Sequence, residues 1–320
     1  MRAVVVQKLG DPGVLTIGSA DQPFPRSGQV RVRVRTVGVN FTEVARRSGV
    51  FGITALPWIP GHEGAGIVEM VGPDVDPSWL GRRVAFWDAN SSGTYAEYAC
   101  ASAETLFHLA DGIDFAIAVA LPTQGLTAFG LCNVATQLLP GQSALVHAAA
   151  GGVGALLVQL LVDRGVRVYG TASSPEKRSL VEKMGAVSFS YGANLPELIR
   201  EHNANRGVDA VFDSVGRVTQ KVSMAALAPQ GHLVYFGESS GSPLPIHPDE
   251  LYDLSLKVSS FWLATEPPTF WSSARRELQD MVLRGKLLVN ICQNFALEQA
   301  CQAHELLEQR KTTGKLVLTV

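Results

Sequence analysis

The chain predicts an α/β fold in two parts: a β-rich domain, and a doubly wound parallel sheet flanked by helices. Three observations carry this. An apolar run, Ser143-Ala-Leu-Val-His147, meets a small-residue turn, Ala148-Ala-Ala-Gly-Gly-Val-Gly154, and a second apolar stretch follows over 155–161. From about residue 122, strand-like and helix-like segments alternate, a pace that implies parallel strands joined by helical crossovers. Before residue 120, short apolar runs are broken by prolines. That spacing suits a small barrel-like sheet rather than βαβ units.

Taken in order, strands are expected at 3–7, 30–37, 64–71 and 83–87, with Pro23, Pro25, Pro57, Pro60, Pro73 and Pro77 punctuating the chain. Within the second run, Arg31-Val-Arg-Val-Arg35 alternates with period two, so its arginines are expected on one solvated face. The α/β part predicts strands at 143–147, 167–171, 188–191, 210–214 and 233–237, and a sixth at 257–262. Helices are expected at 153–164, 175–184, 195–203 and 218–227. The second of these begins with Ser174 as its cap and Pro175 at its first position, both favoured there. The remaining chain predicts a charged helix at 269–284, a strand at 288–295, a helix at 297–310 and a strand at 314–319. It is too short for a domain of its own and is expected to return to the first, leaving a cleft. The expected domains are therefore 1–122 with 262–320, and 123–261.

Composition narrows the function. The 320 residues are long enough for two cores, and 46% apolar with 18% charged residues is the balance of a globular chain. The net charge of −2 and the lack of a Lys/Arg cluster argue against a nucleic-acid partner. The longest apolar stretches are interrupted by Gly, Pro or charge, and Met1-Arg-Ala-Val-Val-Val6 does not read as a signal peptide. No membrane association and a cytoplasmic location are expected. Cys100, Cys132, Cys292 and Cys301 have no C-x-x-C spacing, so they read as inert buried thiols.

The glycine turn carries chemistry. Ala149, Gly151 and Gly154 occupy the small positions of a G-x-G-x-x-G pattern between a strand and a helix. Small residues there let backbone N–H groups approach a dinucleotide pyrophosphate at the positive end of the helix. The second strand then selects the dinucleotide. An NAD site wants a carboxylate at the strand tip to hold the ribose 2′-hydroxyl. Here the strand ends in Ala172-Ser173-Ser174-Pro175-Glu176-Lys177-Arg178. Hydroxyls, a helix start and cations suit a 2′-phosphate, so NADPH is expected over NADH. Glu176 is the one conflicting charge.

On Gly38-Val-Asn-Phe-Thr-Glu43, Pro60-Gly-His-Glu-Gly-Ala-Gly66, Gly125-Leu-Thr127, His147 to Gly154, Phe212-Asp-Ser-Val-Gly216, Phe236-Gly237 and Gly314-Lys315, the chain resembles a known family over nearly its whole length. That family is the zinc-independent quinone oxidoreductase, zeta-crystallin-like, branch of the medium-chain dehydrogenase/reductase superfamily. The resemblance implies a GroES-like catalytic domain, a Rossmann domain and a homodimer formed through the sixth Rossmann strand. It places Asn40 and Thr127, the catalytic candidates, at the nicotinamide ribose and carboxamide. Gly151, Gly152 and Val153 would hold the pyrophosphate, and Ser173, Ser174, Lys177 and Tyr191 would surround the 2′-phosphate. Ser214, Val215 and Gly216 with Phe236 and Gly237 would line the path toward the nicotinamide. Phe261, Trp262 and Lys315 would close it.

Zinc enzymes of the superfamily carry Gly-His-Glu where this chain has Gly61-His62-Glu63. Their two cysteines correspond here to Asn40 and, roughly, Thr123. Neither is a thiolate, and no metal is expected. Glu43, His62 and Glu63 are candidates for proton transfer, each expected to be structural. Without a Lewis acid, the expected small-molecule substrate is one that accepts hydride readily: a quinone or an activated alkene such as an α,β-unsaturated carbonyl. Enoyl reductases of the superfamily carry a tyrosine where this chain has Phe51, a departure that disfavours an enoyl-thioester substrate. Phe41, Phe51, Trp58, Phe86, Trp87, Phe261 and Trp262 are expected to border an apolar cleft. The rival readings are an enoyl or enone reductase of a biosynthetic pathway, and a non-catalytic NADPH-binding structural or regulatory protein.

Overall fold

Chain direction and strand pairing divide the molecule into two units, Met1–Thr123 with Pro267–Val320, and Gln124–Glu266. The structure is a computed structural model that describes residues 1–52, 55–91 and 93–320.

In the first unit, β1 (Arg2–Val5) pairs with β2 (Thr16–Ser19), and β3 (Gln29–Val39) leads into α1 (Phe41–Arg47). There follow β4 (Glu63–Val71), β5 (Arg83–Trp87), β6 (Tyr98–Ser102), β7 (Leu106–His108) and α2 (Phe115–Ala118). The second unit holds α3 (Leu126–Gly130), β8 (Ser143–Val146), α4 (Gly152–Asp163), β9 (Arg167–Thr171), α5 (Pro175–Lys183), β10 (Val187–Phe189) and α6 (Leu195–His202). It ends with β11 (Val208–Asp213), α7 (Gln220–Ala226), β12 (Leu227–Tyr235), α8 (Asp249–Tyr252) and β13 (Lys257–Ser260). The chain returns to the first unit as α9 (Pro268–Leu283), β14 (Ile291–Ala296), α10 (Ala300–Glu308) and β15 (Lys315–Thr319).

The sheet of the first unit runs β14-β15-β3-β4-β5-β7, with β6 also on β3. β3 is its spine because Val30, Val32, Val34, Val37 and Val39 all bury. Its arginines divide. Arg33 and Arg35 face solvent, whereas Arg31 is buried, with its guanidinium over the rings of Phe24 and Tyr98 and 3.4 Å from Glu69. A single solvated arginine face is therefore corrected: aromatic rings and a carboxylate cover the first of the three. β15 joins β3 antiparallel, Leu316 opposite Val39, so a strand from the returning segment completes the sheet that β3 begins, while β1 and β2 pair apart from it.

In the second unit all six strands are parallel, in the order β10-β9-β8-β11-β12-β13. The order reverses between β8 and β11, and ligands of such sheets bind beyond the carboxyl ends of the strands at that reversal. Leu145, Tyr169, Phe189, Leu195, Ile199, Val211 and Leu233 form one packed cluster beneath it.

The short elements β2, α1, β6, β7 and α8 were not among the expected ones, and two further segments depart from the sequence reading. A helical run over Phe115–Ala135, α and π turns in succession, was not expected. It is 21 residues long, and an 18-residue window of it has a mean hydropathy of 1.6, apolar enough to cross a bilayer; 78% of that window is buried inside the fold. Burial among apolar neighbours supplies what charge periodicity could not signal. The tail helix is also shorter than its pattern: Leu297–Gln299 forms a 3₁₀ turn before α10. Of the cysteines, Cys100 and Cys132 are buried, but Cys292 and Cys301 are only partly so.

Candidate active site

The nucleotide side is built at the carboxyl end of β8. Ala148 adopts φ +50°, a left-handed turn unusual for a residue with a side chain. Gly151 caps α4. A Cβ on Gly154 would stand 2.3 Å from the Ala148 carbonyl oxygen, so only glycine lets the first helical turn sit this close to the strand. The amides of Gly152 and Val153 open α4, where an α-helix lacks acceptors of its own. They are available to an anion.

The next strand end matches. Ser174 caps α5, accepting from the Lys177 amide at 3.3 Å, with Pro175 behind it. Ser173 is exposed beside it, and Lys177 is half-buried in the first turn. Glu176 is held below the usual carboxylate range by a hydrogen bond from Ser174 and by its own backbone N–H. Ser174 thus spends its hydroxyl on helix and carboxylate, and the exposed Ser173 is the freer hydroxyl of the two. Tyr191 is anchored at the turn: its hydroxyl accepts from the Ala148 amide at 3.0 Å, and its ring stacks on His147.

Beneath this lies a buried network that sequence reasoning did not assign. Asp213, at the end of β11, accepts from the amides of Val215 and Gly216 at 2.8 and 3.0 Å and from the hydroxyls of Thr219 and Ser223 at 2.8 and 2.7 Å. The Ser223 proton is committed to that carboxylate, so its oxygen accepts from His147 Nε2, 3.0 Å away. Nδ1 then accepts from the Thr171 hydroxyl at 2.9 Å. His147 is wholly buried, and burial pushes its pKa down against the pull of Asp213. The carboxyl ends of β8, β9 and β11 are tied together by one neutral imidazole. Asp213 also folds the loop of Ser214, Val215 and Gly216 back, where Ser239 and Ser240 amides bind Ser214 and Val215 carbonyls and the Phe236 amide binds the Asp213 carbonyl. Gly237 lies against Ser214. These expected residues are brought together. Phe261 and Trp262 separate: the Phe261 ring fills the space a Cβ on Gly130 would take, and Trp262 is 58% exposed. Gly130 ends α3, which carries Thr127 half-buried.

The first unit holds a second polar cluster. Continuing the β3–β15 register by one residue sets Lys315 opposite Asn40, and continuing β3–β4 sets Glu63 opposite Gly38. Lys315 Nζ donates to Asn40 Oδ1 at 2.7 Å and Glu63 Oε2 at 2.5 Å. Asn40 Nδ2 donates to the same Glu63 oxygen at 2.9 Å, and the Thr123 amide donates to Oε1 at 2.8 Å. The Thr123 hydroxyl is buried without a hydrogen-bond partner among the described residues. Glu43 accepts from the Asn40 amide at 3.0 Å and lies 3.0 Å from His62 Nδ1, while His62 Nε2 lies 2.9 Å from Arg46. A guanidinium only donates, so Nε2 accepts and Nδ1 donates to Glu43. Burial works to raise the Glu43 carboxyl, but the bond from His62 and the surrounding positive charge bring it below its ordinary range. His62 and Glu63, neighbours in sequence, therefore serve two separate networks.

A β-rich unit that carries this cluster, and a parallel sheet with a glycine turn opening the helix at its strand-order reversal, define the class of dinucleotide-dependent dehydrogenases and reductases. Residues 26–111 match the family model of the alcohol dehydrogenase GroES-like domain, and residues 152–280 that of the zinc-binding dehydrogenase. A quinone oxidoreductase of Pseudomonas aeruginosa is 38% identical, over 97% of this chain and 96% of the relative. A 2-haloacrylate reductase of a Burkholderia species is 32% identical, over 99% and 98%. The crystal structure of Escherichia coli quinone oxidoreductase complexed with NADPH superposes with a TM-score of 0.95 at 31% identity, covering all of both chains. The chain belongs to the quinone oxidoreductase family of the medium-chain dehydrogenase/reductase superfamily.

The residues at the first-unit cluster do not fit the zinc that one family model is named for. Both His62 nitrogens and both Glu63 oxygens already meet protein partners, and the charge beside Glu63 is an ammonium. Among the described residues no group of three His, Cys, Asp or Glu side chains is arranged to hold a metal ion. The second unit does fit a phosphorylated dinucleotide, because the turn demands glycine at 154 and leaves helix-start amides open.

Proposed function

We propose that this protein, an NADPH-dependent oxidoreductase by its family, delivers hydride to a quinone or to an activated alkene. The observation that carries the reading is the donor accounting at Glu63 and His62, which leaves no ligand set among the described residues for a metal that would polarise an unactivated carbonyl. Quinones and α,β-unsaturated carbonyls accept hydride without such help. Bound NADPH supplies the hydride. The chain's own residues then have three tasks: hold the pyrophosphate at Gly151, Gly152 and Val153, hold the 2′-phosphate at Ser173, Lys177 and Tyr191, and meet the negative charge that develops on the acceptor oxygen. The unpartnered Thr123 hydroxyl is the donor suited to the last. The alkene arm is favoured by the 2-haloacrylate reductase among the relatives, the quinone arm by those named quinone oxidoreductases.

The test is NADPH consumption by chelator-treated protein against quinones, enones, 2-haloacrylates and a crotonyl thioester. Turnover of quinones or alkenes supports the reading, and the preferred class chooses the arm. Saturable NADPH binding with no turnover of any acceptor would sink it in favour of a non-catalytic role.

A homodimer belongs to the same reading. β13 ends its sheet, and Lys257, Ser259 and Ser260 are exposed along it, an open edge able to pair with that of a second copy. Light scattering should return twice the chain mass; a monomer at working concentration would overturn this.

A further inference from the structure

We infer that Lys315 is a positioning residue: together with Glu63 it sets which way the Asn40 carboxamide faces, and does not itself bind the cofactor. The inference rests on the proposed function, because Asn40 matters to the reaction only if it meets the nicotinamide ribose.

The two ends of an amide are nearly equal in size, so the surroundings decide which faces a ligand. An ammonium can only donate and an ionised carboxylate can only accept. Lys315 therefore draws Oδ1 to itself and Glu63 draws Nδ2, as their distances of 2.7 and 2.9 Å to Asn40 record. One N–H and one lone pair of the half-buried Asn40 amide have no partner among the described residues. A donor and an acceptor side by side suit a sugar hydroxyl, which both gives and takes a hydrogen bond.

The device is built deeply. Lys315 is 1% exposed and Glu63 is wholly buried. Their contact passes over Gly38, where a Cβ would stand 2.1 Å from Glu63 Oε2 and 2.7 Å from Lys315 Nζ. Asn40 is further fixed through its backbone, since its amide donates to Glu43 at 3.0 Å. The Lys315 ammonium, itself buried and spent on the Asn40 and Glu63 oxygens, is poorly placed to reach a phosphate. The resemblance had assigned it to closing the cofactor path; the geometry assigns it to the residue opposite.

Three variants test this: Lys315→Met, Glu63→Gln and the double. Removing one member leaves the other buried and unpaired, which is strongly destabilising. If a single variant fails to fold, the double variant, which buries no charge at this pair, carries the test. The readouts are turnover, the fluorescence enhancement of reduced nicotinamide on binding, and the affinity for adenosine 2′,5′-bisphosphate, which lacks the nicotinamide half. We expect turnover to fall about 10- to 100-fold, as for other supporting partners of a site residue. The nicotinamide enhancement should be lost, and bisphosphate affinity should stay within about twofold. The double variant should be no worse than the singles, since both act through one network.

Full nicotinamide enhancement in the folded double variant would overturn the inference. So would a Glu63→Gln protein with normal enhancement beside a Lys315→Met protein that loses the bisphosphate as well, the pattern of direct phosphate contact. Failure of the proposed function would look different: the unaltered protein would turn over no acceptor, while the fluorescence arm would still report on Asn40.

Discussion

Lys177 stands in the first turn of α5, beside the helix cap Ser174 and the exposed Ser173. On the proposed reading, in which Lys177 meets the 2′-phosphate, Lys177→Ala removes a charge-assisted contact and should weaken NADPH by about tenfold or more while leaving NADH nearly unchanged. Fluorescence titration of both cofactors checks this; equal losses would make Lys177 structural. Gly38 makes the opposite kind of case, a residue important for what it lacks. In Gly38→Ala the new methyl group overlaps the Glu63–Lys315 contact, so we expect a stability loss of about 1–3 kcal/mol, the usual scale of overpacking. Denaturant unfolding measures it, and an unchanged midpoint would mean the pair can move aside. Motif resemblance could single out Gly38 and Lys315 separately. That they touch was hidden, because the sequence separation between them carries no local signal.

At the scale of elements, the strand–turn–helix at β8 and α4 was legible because each piece is local: an apolar strand, small turn residues and an apolar helix. The structure adds the reason for one glycine. Gly154→Ala would ordinarily stabilise a helix by roughly 1 kcal/mol. Here its Cβ would strike the Ala148 carbonyl, a backbone atom with nowhere to go. Binding of NADPH and NADH should fall together, and calorimetric titration showing retained affinity for both would sink this account. The helical run Phe115–Ala135 was illegible for the converse reason. With apolar residues on all sides it shows no amphipathic period, and Pro122 reads as a breaker until burial and π turns accommodate it. Arg31 was misread likewise: period two places it on the face of Arg33 and Arg35, yet Phe24 and Tyr98 cover it.

At the scale of the whole molecule, buried histidines link folding to pH. Burial drives His304 down to about 4, with the charge of Glu43 opposing and that of Arg47 adding, and His147 is pushed the same way. An unfolded histidine takes up a proton near pH 6.5 while these stay neutral, so their contribution is complete above that value. It is lost as pH falls from about 6.5 toward 4, by roughly 3 kcal/mol for His304 alone. Glu43, held below its ordinary range, extends the loss into more acid solution, because its contribution needs the carboxylate ionised. Thermal unfolding followed against pH should show this decline, and His304→Gln should flatten its upper part; a midpoint constant from pH 7 to 4 would contradict both assignments.

By itself the sequence determined the class of fold, the glycine turn between strand and helix, the preference for a phosphorylated cofactor and the family. Each is written in residues close together in the chain, where strand period, glycine size and helix capping act over a few positions. Only the tertiary structure decided what Asn40, Glu63 and Lys315 do together, that His62 serves a different network from its neighbour, and that His147 and Asp213 brace three strand ends. Those arrangements depend on sheet register and on which donor finds which acceptor. Register is set by long-range pairing of whole strands, and hydrogen-bond choice is set by burial, so neither is expressed at any single position of the chain.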